Sequence, residues 1–569
     1  MLLALAFHLH AASGAVLEVS VRHTFNGEPL LLDSLRYENT AHETLSVTRL
    51  SYLLSGVALE REDGVWVEQT DQVAWMDAEK RRVSVRIEGV PEGKYRALRF
   101  YVGPDATANS ANPAGLAPSH PLNANLNGLH WTWQSGYIFL AMEGRYRTTS
   151  GPELLGYSYH FARTPNRTRI SLAAPLDLTH DAGVLLDFDL AALLNAPRPL
   201  AFARDGAATH SREGDPLAAA LAANLPGAFR VRQVMSAAPA ISQPSPVKPL
   251  YLPAKYTPYR FTMSGTFPVP DLPRDNPLLE ERVALGKKLF NEAALSRDGS
   301  ISCASCHQPE SVRADPRRFS VGVRGRVGTR NAMPLFNLAW KPSFFWDGRA
   351  PSLRAQALMP IQDHTEMDET LDRVTSKLAA TAGYPPLFLA AFGSPEITAE
   401  KLGLALENFL LTLTAYDAKF DRAMRGNATL SADEQRGFEL FMTEYDPRTG
   451  QLGADCFHCH GGPLFSDHQF HNNGLGLNPA DPGRFLVTKR GADRGKFATP
   501  SLRNVARTAP YMHDGRFSTL DEVVAHYSTG IRRNSTLDPN LAKHPEGGLQ
   551  LSAADQRALV AFLKTLSDE

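Results

Sequence analysis

From about Val16 to Arg163, short apolar runs alternate with polar residues at a period of two. Leu17-Glu18-Val19-Ser20-Val21-Arg22, Ser51-Tyr52-Leu53-Leu54, Arg82-Val83-Ser84-Val85-Arg86-Ile87, Tyr95-Arg96-Ala97-Leu98-Arg99-Phe100 and Gly136-Tyr137-Ile138-Phe139-Leu140-Ala141 are separated by Gly, Pro and Asn. Successive side chains of a strand point to opposite faces, so the pattern predicts an antiparallel all-β sandwich or barrel. A short helix over Asp215 to Leu225 closes this domain. From Val234 to Pro273 neither period is present and Pro, Ser and Ala are frequent, the composition of an extended linker.

Beyond the linker the period becomes helical. Pro277 to Asn291, Leu353 to Leu358, Thr370 to Ala379 and a long run from Thr398 to Arg425 are predicted helices, and two later ones start at caps, Ser431 with Glu434 and Ser552 with Asp555. The fold class is therefore multidomain, with an all-β part followed by an all-α part with long loops. The boundaries read as a leader 1–15, a β domain 16–233, a linker 234–273, and two helical lobes, 274–425 and 426–569.

The length, 569 residues, agrees with several domains at ~100–200 residues each. With 59 basic and 60 acidic residues the net charge is −1, which gives no global field to recruit nucleic acid or an anionic membrane. The opening MLLALAFHLHAASGA resembles the apolar part of a secretory signal with small residues near Ala12 to Ala15, clipped in that no Lys or Arg precedes it. No other stretch approaches the ~20 apolar residues of a membrane span.

Four cysteines occur, all in two pentapeptides, Cys303-Ala304-Ser305-Cys306-His307 and Cys456-Phe457-His458-Cys459-His460. Two thiols at this spacing can take both vinyl groups of one haem as thioethers, and the following imidazole can reach its iron. A zinc site built from two CxxC hooks is the competing reading, but such hooks usually lie ~15–20 residues apart. The pair reads as two covalently bound haem c groups, and attachment of this kind takes place outside the cytoplasm, which points to the periplasm.

From about Pro277 to Glu569 the sequence resembles the di-haem cytochrome c peroxidase family, in the branch of the tryptophan-modifying enzymes MauG and MbnH. LGKKLFNEAALSRDGSISCASCH, RNAMPLFN, FFWDGRAPSLRAQALMPIQDHTEM, GADCFHCHGGPLFSDHQFHNNGLG and TPSLRNVARTAPYMHDGRFSTLDEVVAHYSTG carry the resemblance. It implies a pair of cytochrome-c-like lobes, with the His307 haem reacting with hydrogen peroxide and the His460 haem transferring electrons. Ordinary members hold a blocking histidine in the loop that here reads Ser320-Val321-Gly322-Val323, so valine leaves the first iron open. Where they place a methionine ligand to the second iron, this chain has Tyr527, a hard anionic donor; Met512 and His526 are the alternatives. The resemblance also assigns Glu366 as the acid–base group for O–O cleavage, Gln356 and Pro360 as its companions, Trp346 as a relay between the haems, and Asn331, Thr508 and Pro510 to a calcium ion held largely through backbone oxygens.

From about Leu17 to Phe229 the chain resembles the MbnP family of periplasmic copper proteins, through Val21-Arg22-His23, SYLLSGVAL, GKYRALRFYVGPD, LNGLHWTWQSGY, Tyr159-His160 and His210-Ser211. The resemblance implies histidine ligands to copper, with His23, His160, His210 and His130 as candidates, and a tryptophan near the metal converted to kynurenine. Trp131 and Trp133 are the candidates for that residue, which share a face if they lie on a strand; Trp75 is a third. The combined expectation is an enzyme fused to its own protein substrate: peroxide oxidises the first haem, and oxidising equivalents shared through Trp346 are drawn from the N-terminal domain. Two other readings compete. One is a peroxidase that takes electrons from a small periplasmic donor, the other a non-catalytic copper-binding module.

Overall fold

The computed structural model describes residues 14–69, 72–131, 136–236 and 247–568, so the expected leader, apart from Gly14 and Ala15, and Trp133 lie outside the described residues. The chain divides between Pro244 and Ser245 into two compact units, Ala114–Ser119 aside.

The first unit contains two sheets. One runs Phe229–Met235, Ala182–Asp189, Ala15–Phe25, Glu28–Pro29, with Ser84–Val90 also on Ala15–Phe25. The other runs Thr168–Asp177, Lys94–Val102, Thr44–Arg61, Ile138–Arg147, Leu155–Ala162, Ala208–Thr209, with three short strands added along Thr44–Arg61. Aromatic rings fill the space between them: Phe188 stacks on Phe229 with centroids 4.3 Å apart, and Tyr52 and Phe100 meet that pair from the other sheet.

The sheets are mixed rather than antiparallel throughout. Ala15–Phe25 pairs in parallel with Ala182–Asp189, and Leu155–Ala162 with Ala208–Thr209. Residue alternation reports which face a side chain takes and is blind to the direction of the neighbouring strand. Alternation itself fails in Ile138–Arg147, where nine of ten positions are buried because both faces are covered. The predicted helix is present as Pro216–Ala228, capped by the Asp215 carboxylate, which accepts from Leu217 N at 2.9 Å.

The second unit is helical with long loops, and two helix pairs form its frame. In the first, Glu280–Phe290 packs on Ala399–Leu411; in the second, Ala432–Met442 packs on Ala553–Lys564. Each pair closes on a glycine. A Cβ on Gly286 would lie 2.0 Å from the Ala405 carbonyl oxygen, and one on Gly437 would lie 2.0 Å from that of Ala558. The local text is also shared: Gly-x-x-Leu-Phe at Gly286–Phe290 and Gly437–Phe441, Ala-x-x-x-Phe at Ala405–Phe409 and Ala558–Phe562.

Three expectations shift. The Leu353 helix continues to Gln362 through Pro360. The long run from Thr398 breaks after Leu411 and resumes as Lys419–Met424, because the Asn337 side chain takes both backbone groups of Ala415, donating to its O at 2.9 Å and accepting from its N at 3.0 Å. Val234 and Met235, where the linker was expected to start, instead end the Phe229–Met235 strand, and residues 247–273 are strapped to the helical unit. Arg282, fully buried, donates to the carbonyls of Leu250 and Tyr251, and Phe267 is buried against Trp340, whose indole N–H donates to Pro268 O at 2.7 Å. Among the described residues no helix is long and apolar enough to cross a membrane.

Because the glycine latch leaves no room for a methyl group, Gly286→Ala and Gly437→Ala should each force their helices apart and cost about 1–3 kcal/mol, the usual penalty of overpacking. Denaturant titration of the full chain, followed by helical circular dichroism, checks this; Gly265→Ala, which meets nothing within 4 Å, is the control.

Candidate functional site

The first pentapeptide begins a single helical turn, Cys303–Cys306, closed at its N-terminus by a capping box between Ser302 and Ser305. His307 comes next, and its Nδ1 donates to the carbonyl of Arg313 at 2.9 Å, a contact made possible by left-handed backbone at Val312 and Arg313. With Nδ1 engaged, Nε2 is the ring nitrogen left to bind a metal, an orientation that outer hydrogen bonds commonly fix.

Cys306 and His307 line a cavity of ≈ 1130 Å³ together with Trp346, Gln356, Pro360 and Glu366. Gln356 and Pro360 are one turn apart on the Leu353–Gln362 helix and so share a face. Glu366 is held from behind by the Val321–Val323 loop: Val323 N donates to Glu366 O at 2.8 Å, and any Cβ at Gly322 would lie 2.1 Å from Thr365 O. Burial, helped by nearby Asp363 and opposed by Arg349, raises the Glu366 carboxyl to about 7. Val323 is itself buried and offers no ligand atom from its side chain.

The second pentapeptide lines a separate cavity of ≈ 230 Å³, which contains Cys456, Cys459, His460, Tyr527 and Met512. His460 Nδ1 donates to Phe465 O at 3.1 Å, repeating the arrangement at His307. Tyr527 belongs to a π-helical turn, His526–Gly530, at the end of the Leu520–Ala525 helix. The extra residue of such a turn rotates the side chains beyond it relative to a regular helix. The Tyr527 hydroxyl accepts from Asn473 Nδ2 at 3.2 Å, and burial pushes the phenol up to about 12. Of the alternative ligands, Met512 lines the cavity, whereas His526 turns its Nε2 to the Asn473 carbonyl at 3.0 Å.

Trp346 forms part of the wall of both cavities. Its indole N–H donates to Asn331 O at 2.9 Å, and the Asn331 side chain in turn donates to the carbonyls of Arg317 and Arg318. Asn331, Thr508 and Pro510, the three calcium candidates, all line the second cavity, and the Asn331 carbonyl accepts from Trp346. Sequence reasoning missed the buried polar network flanking the second pentapeptide. His458 meets Glu444 at 3.2 Å, Lys543 bridges Glu444 and Asp455, and His471 is held between Asp467 at 2.8 Å and Asp538 at 2.5 Å. The density of His and Asp around CFHCH was its only trace in the text.

In the β unit the structure brings two of the four copper candidates together. His160 Nδ1 lies 3.1 Å from His210 Nε2, and His160 Nε2 donates to Glu143, whose carboxylate is also held by Arg49 at 2.9 Å. Trp131 is buried beside them, its ring centroid 5.2 Å from that of His210 and 6.4 Å from that of His160. Among the described residues, neither His23 nor His130 joins this pair. His23 Nε2 bonds the Tyr52 hydroxyl at 3.0 Å, and His130 packs edge-on against Tyr137. His23 is buried and His130 half-buried, and burial lowers each to about 4. Trp75, the third tryptophan candidate, donates to Ser51 and has the cations of Lys80 and Arg82 over its ring, 5.0 and 4.7 Å from the centroid.

The di-haem cytochrome c peroxidase family model matches residues 280–429, and the MbnP model matches residues 14–210. Methylamine utilization protein MauG of Methylorubrum extorquens is 42% identical over 300 residues, covering 52% of this chain and 81% of that protein. Cytochrome c551 peroxidase of Pseudomonas aeruginosa is 35% identical over 305 residues, covering 52% of this chain and 81% of that one. Among solved structures, a MauG-like protein associated with microbial copper homeostasis is 33% identical, with a TM-score of 0.49 over 55% of this chain and 96% of its own.

The assignment of His23 to the interior has a pH signature. The unfolded chain takes up a proton near 6.5, while the folded residue resists until about 4. Its stabilising effect is complete above pH 6.5 and is lost as pH falls toward 4, a span worth about 3 kcal/mol. Denaturant unfolding at pH 7.5 and 4.5 should show this loss in the parent protein and a smaller one in His23→Gln.

Proposed function

The chain belongs to the di-haem cytochrome c peroxidase family and carries an MbnP-type domain ahead of its haem-binding half, and from that premise we propose that it uses hydrogen peroxide to oxidise Trp131 of its own N-terminal domain, beside copper. The observation that carries the electron-transfer part is Trp346, which contributes to the walls of both cavities. The haems, when bound, supply iron that accepts oxidising equivalents from peroxide and stores them.

Donors fit that group at both sites: a thiol pair with a following histidine whose Nε2 is free to bind, in cavities walled mostly by apolar groups. In the first cavity Glu366 works as a proton carrier. As a carboxylate it takes the proton from one oxygen of HOOH and returns it to the other, which leaves as water. Gln356 orients the peroxide by hydrogen bonding, and Pro360 closes the wall. Trp346 passes electrons between the two sites; its N–H bond to Asn331 fixes the ring and stabilises the positive charge it carries in transit. Tyr527 and His460 are the residues that would hold the iron of the second haem, and a phenol whose proton burial retains would have to release it to do so. Calcium, held through carbonyls of Asn331, Thr508 and Pro510, would brace the wall that these residues share with Trp346.

On the substrate side, His160 and His210 are the copper ligands. Glu143 accepts the proton of His160 Nε2, so that Nδ1 presents its lone pair toward His210. Trp131 is favoured over Trp75 because the cations over Trp75 oppose removal of an electron from its ring. Two peroxides balance the conversion of one tryptophan: tryptophan and two hydrogen peroxide give kynurenine, formic acid and water. Haem attachment, which takes place outside the cytoplasm, and the company of copper support a periplasmic setting for this chemistry.

Peptide mapping by mass spectrometry after peroxide treatment of the haem- and copper-loaded protein should find kynurenine at residue 131, and Trp346→Phe should lower its yield at least tenfold. Unchanged tryptophans alongside rapid turnover with a reduced small cytochrome would overturn the reading in favour of an ordinary peroxidase. The rate of peroxide consumption should rise with pH through about 7 as Glu366 ionises. In Glu366→Gln that rise should vanish and the rate fall by about 10²–10⁴, as followed by stopped-flow absorbance.

A further inference from the structure

The wall of the first cavity carries five basic side chains, Arg318, Arg330, Lys341, Arg349 and Arg516. The four guanidiniums have carboxylate partners. Arg330 bonds Asp347 and Asp481 at 2.6 Å each, Arg349 meets Asp347 at 3.2 Å, and Arg516 and Arg318 meet Asp514 at 2.8 and 3.8 Å. Lys341 differs. Its backbone N–H closes the turn onto Leu338 O, but among the described residues its ammonium makes no hydrogen bond or ion pair.

The remaining carboxylates on this wall, Asp363 and Glu366, are not near enough to matter to it: burial alone acts on Lys341, lowering it to about 8. A half-buried ammonium that faces a cavity without a carboxylate of its own is placed to pair with an anion that the cavity's occupant supplies. Lys341 also stands at a consequential place, directly after the Leu338–Trp340 turn and on the loop that leads to Trp346.

We propose that Lys341 is an anion-binding residue of the first cavity, that its partner is a propionate carboxylate of the haem held there, and that the ion pair anchors the haem edge beside the loop carrying Trp346. This rests on the first cavity holding a haem, as the family does, and not on which residue is finally oxidised. The chemistry of the macrocycle is consistent with it. Thioethers to Cys303 and Cys306 fix the vinyl-derived edge, and the propionates project from elsewhere on the ring, where a cation on the cavity wall can meet them. The pairing also sets the haem's electron affinity, because neutralising a propionate favours the reduced iron.

The test uses the full-length, haem-loaded protein with Lys341→Met, which keeps length and apolar bulk, and Lys341→Arg, which keeps charge. Spectroelectrochemistry should show the reduced-to-oxidised ratio of the first haem, at a fixed potential, about tenfold lower in the Met variant, equivalent to about 59 mV for one electron. The Arg variant should stay within about threefold of the parent. Resonance Raman should show the propionate-bending band shifted in the Met variant and retained in the Arg variant. An unshifted band with an unchanged ratio overturns the proposal. So does a ratio that responds to added chloride or phosphate in the parent but not in Lys341→Met, since the anion is then a free one. Failure to find kynurenine would leave these readouts intact, so the two proposals fall separately.

Discussion

The indole N–H of Trp346 donates to the carbonyl of Asn331, and this bond holds the ring in a wall that two separate cavities share. Most of the helical unit can be read as support for that placement. Asn331 is tied by its side chain to two consecutive carbonyls and by its own N–H to His513 O, so the acceptor cannot drift. Ala498 N donates to Trp346 O, tying the same residue to the second lobe. For the relay proposed for this ring, a rigid surrounding would leave little to reorganise at each step.

Around that ring the two cavities are differentiated by a small number of groups. The first has a buried carboxyl raised toward neutrality and a loop whose valine presents no donor atom. The second has a phenol brought into its wall by a π-helical turn. Acid–base chemistry requires a group that can both hold and give up a proton near the working pH, whereas a ligand position requires an oxygen aimed at the metal. The β unit adds an ordered imidazole pair whose tautomer is set by Glu143 and, behind it, Arg49.

How legible each feature was in the chain depends on the kind of constraint that produces it. The CxxCH pentapeptides were legible because covalent attachment fixes residue type and spacing together. Gln356, Pro360 and Glu366 were legible through a resemblance that preserves their spacing, and all three meet in one cavity with His307. The bond from His23 to Tyr52 was not legible because a histidine in a strand looks the same whether it binds a metal or a tyrosine across the sandwich. The strap over residues 247–273 was invisible because Arg282 recognises main-chain carbonyls, which leave no mark in the side-chain sequence. Parallel pairing of Ala15–Phe25 escaped for a related reason, since hydrogen-bond direction is not written in hydrophobicity. The isolation of Lys341 is a property of its surroundings in space and has no local signature.

The glycine latch recurs in both halves of the helical unit, with Gly286 under Ala405 and Gly437 under Ala558. The two halves repeat one frame and differ in the groups that it carries. The difference between the two lobes then resides in their loops and turns, with Glu366 in one cavity wall and Tyr527 in the other. Exchanging the loop that carries Glu366 for the turn that carries Tyr527 would be a change of cargo on a shared chassis.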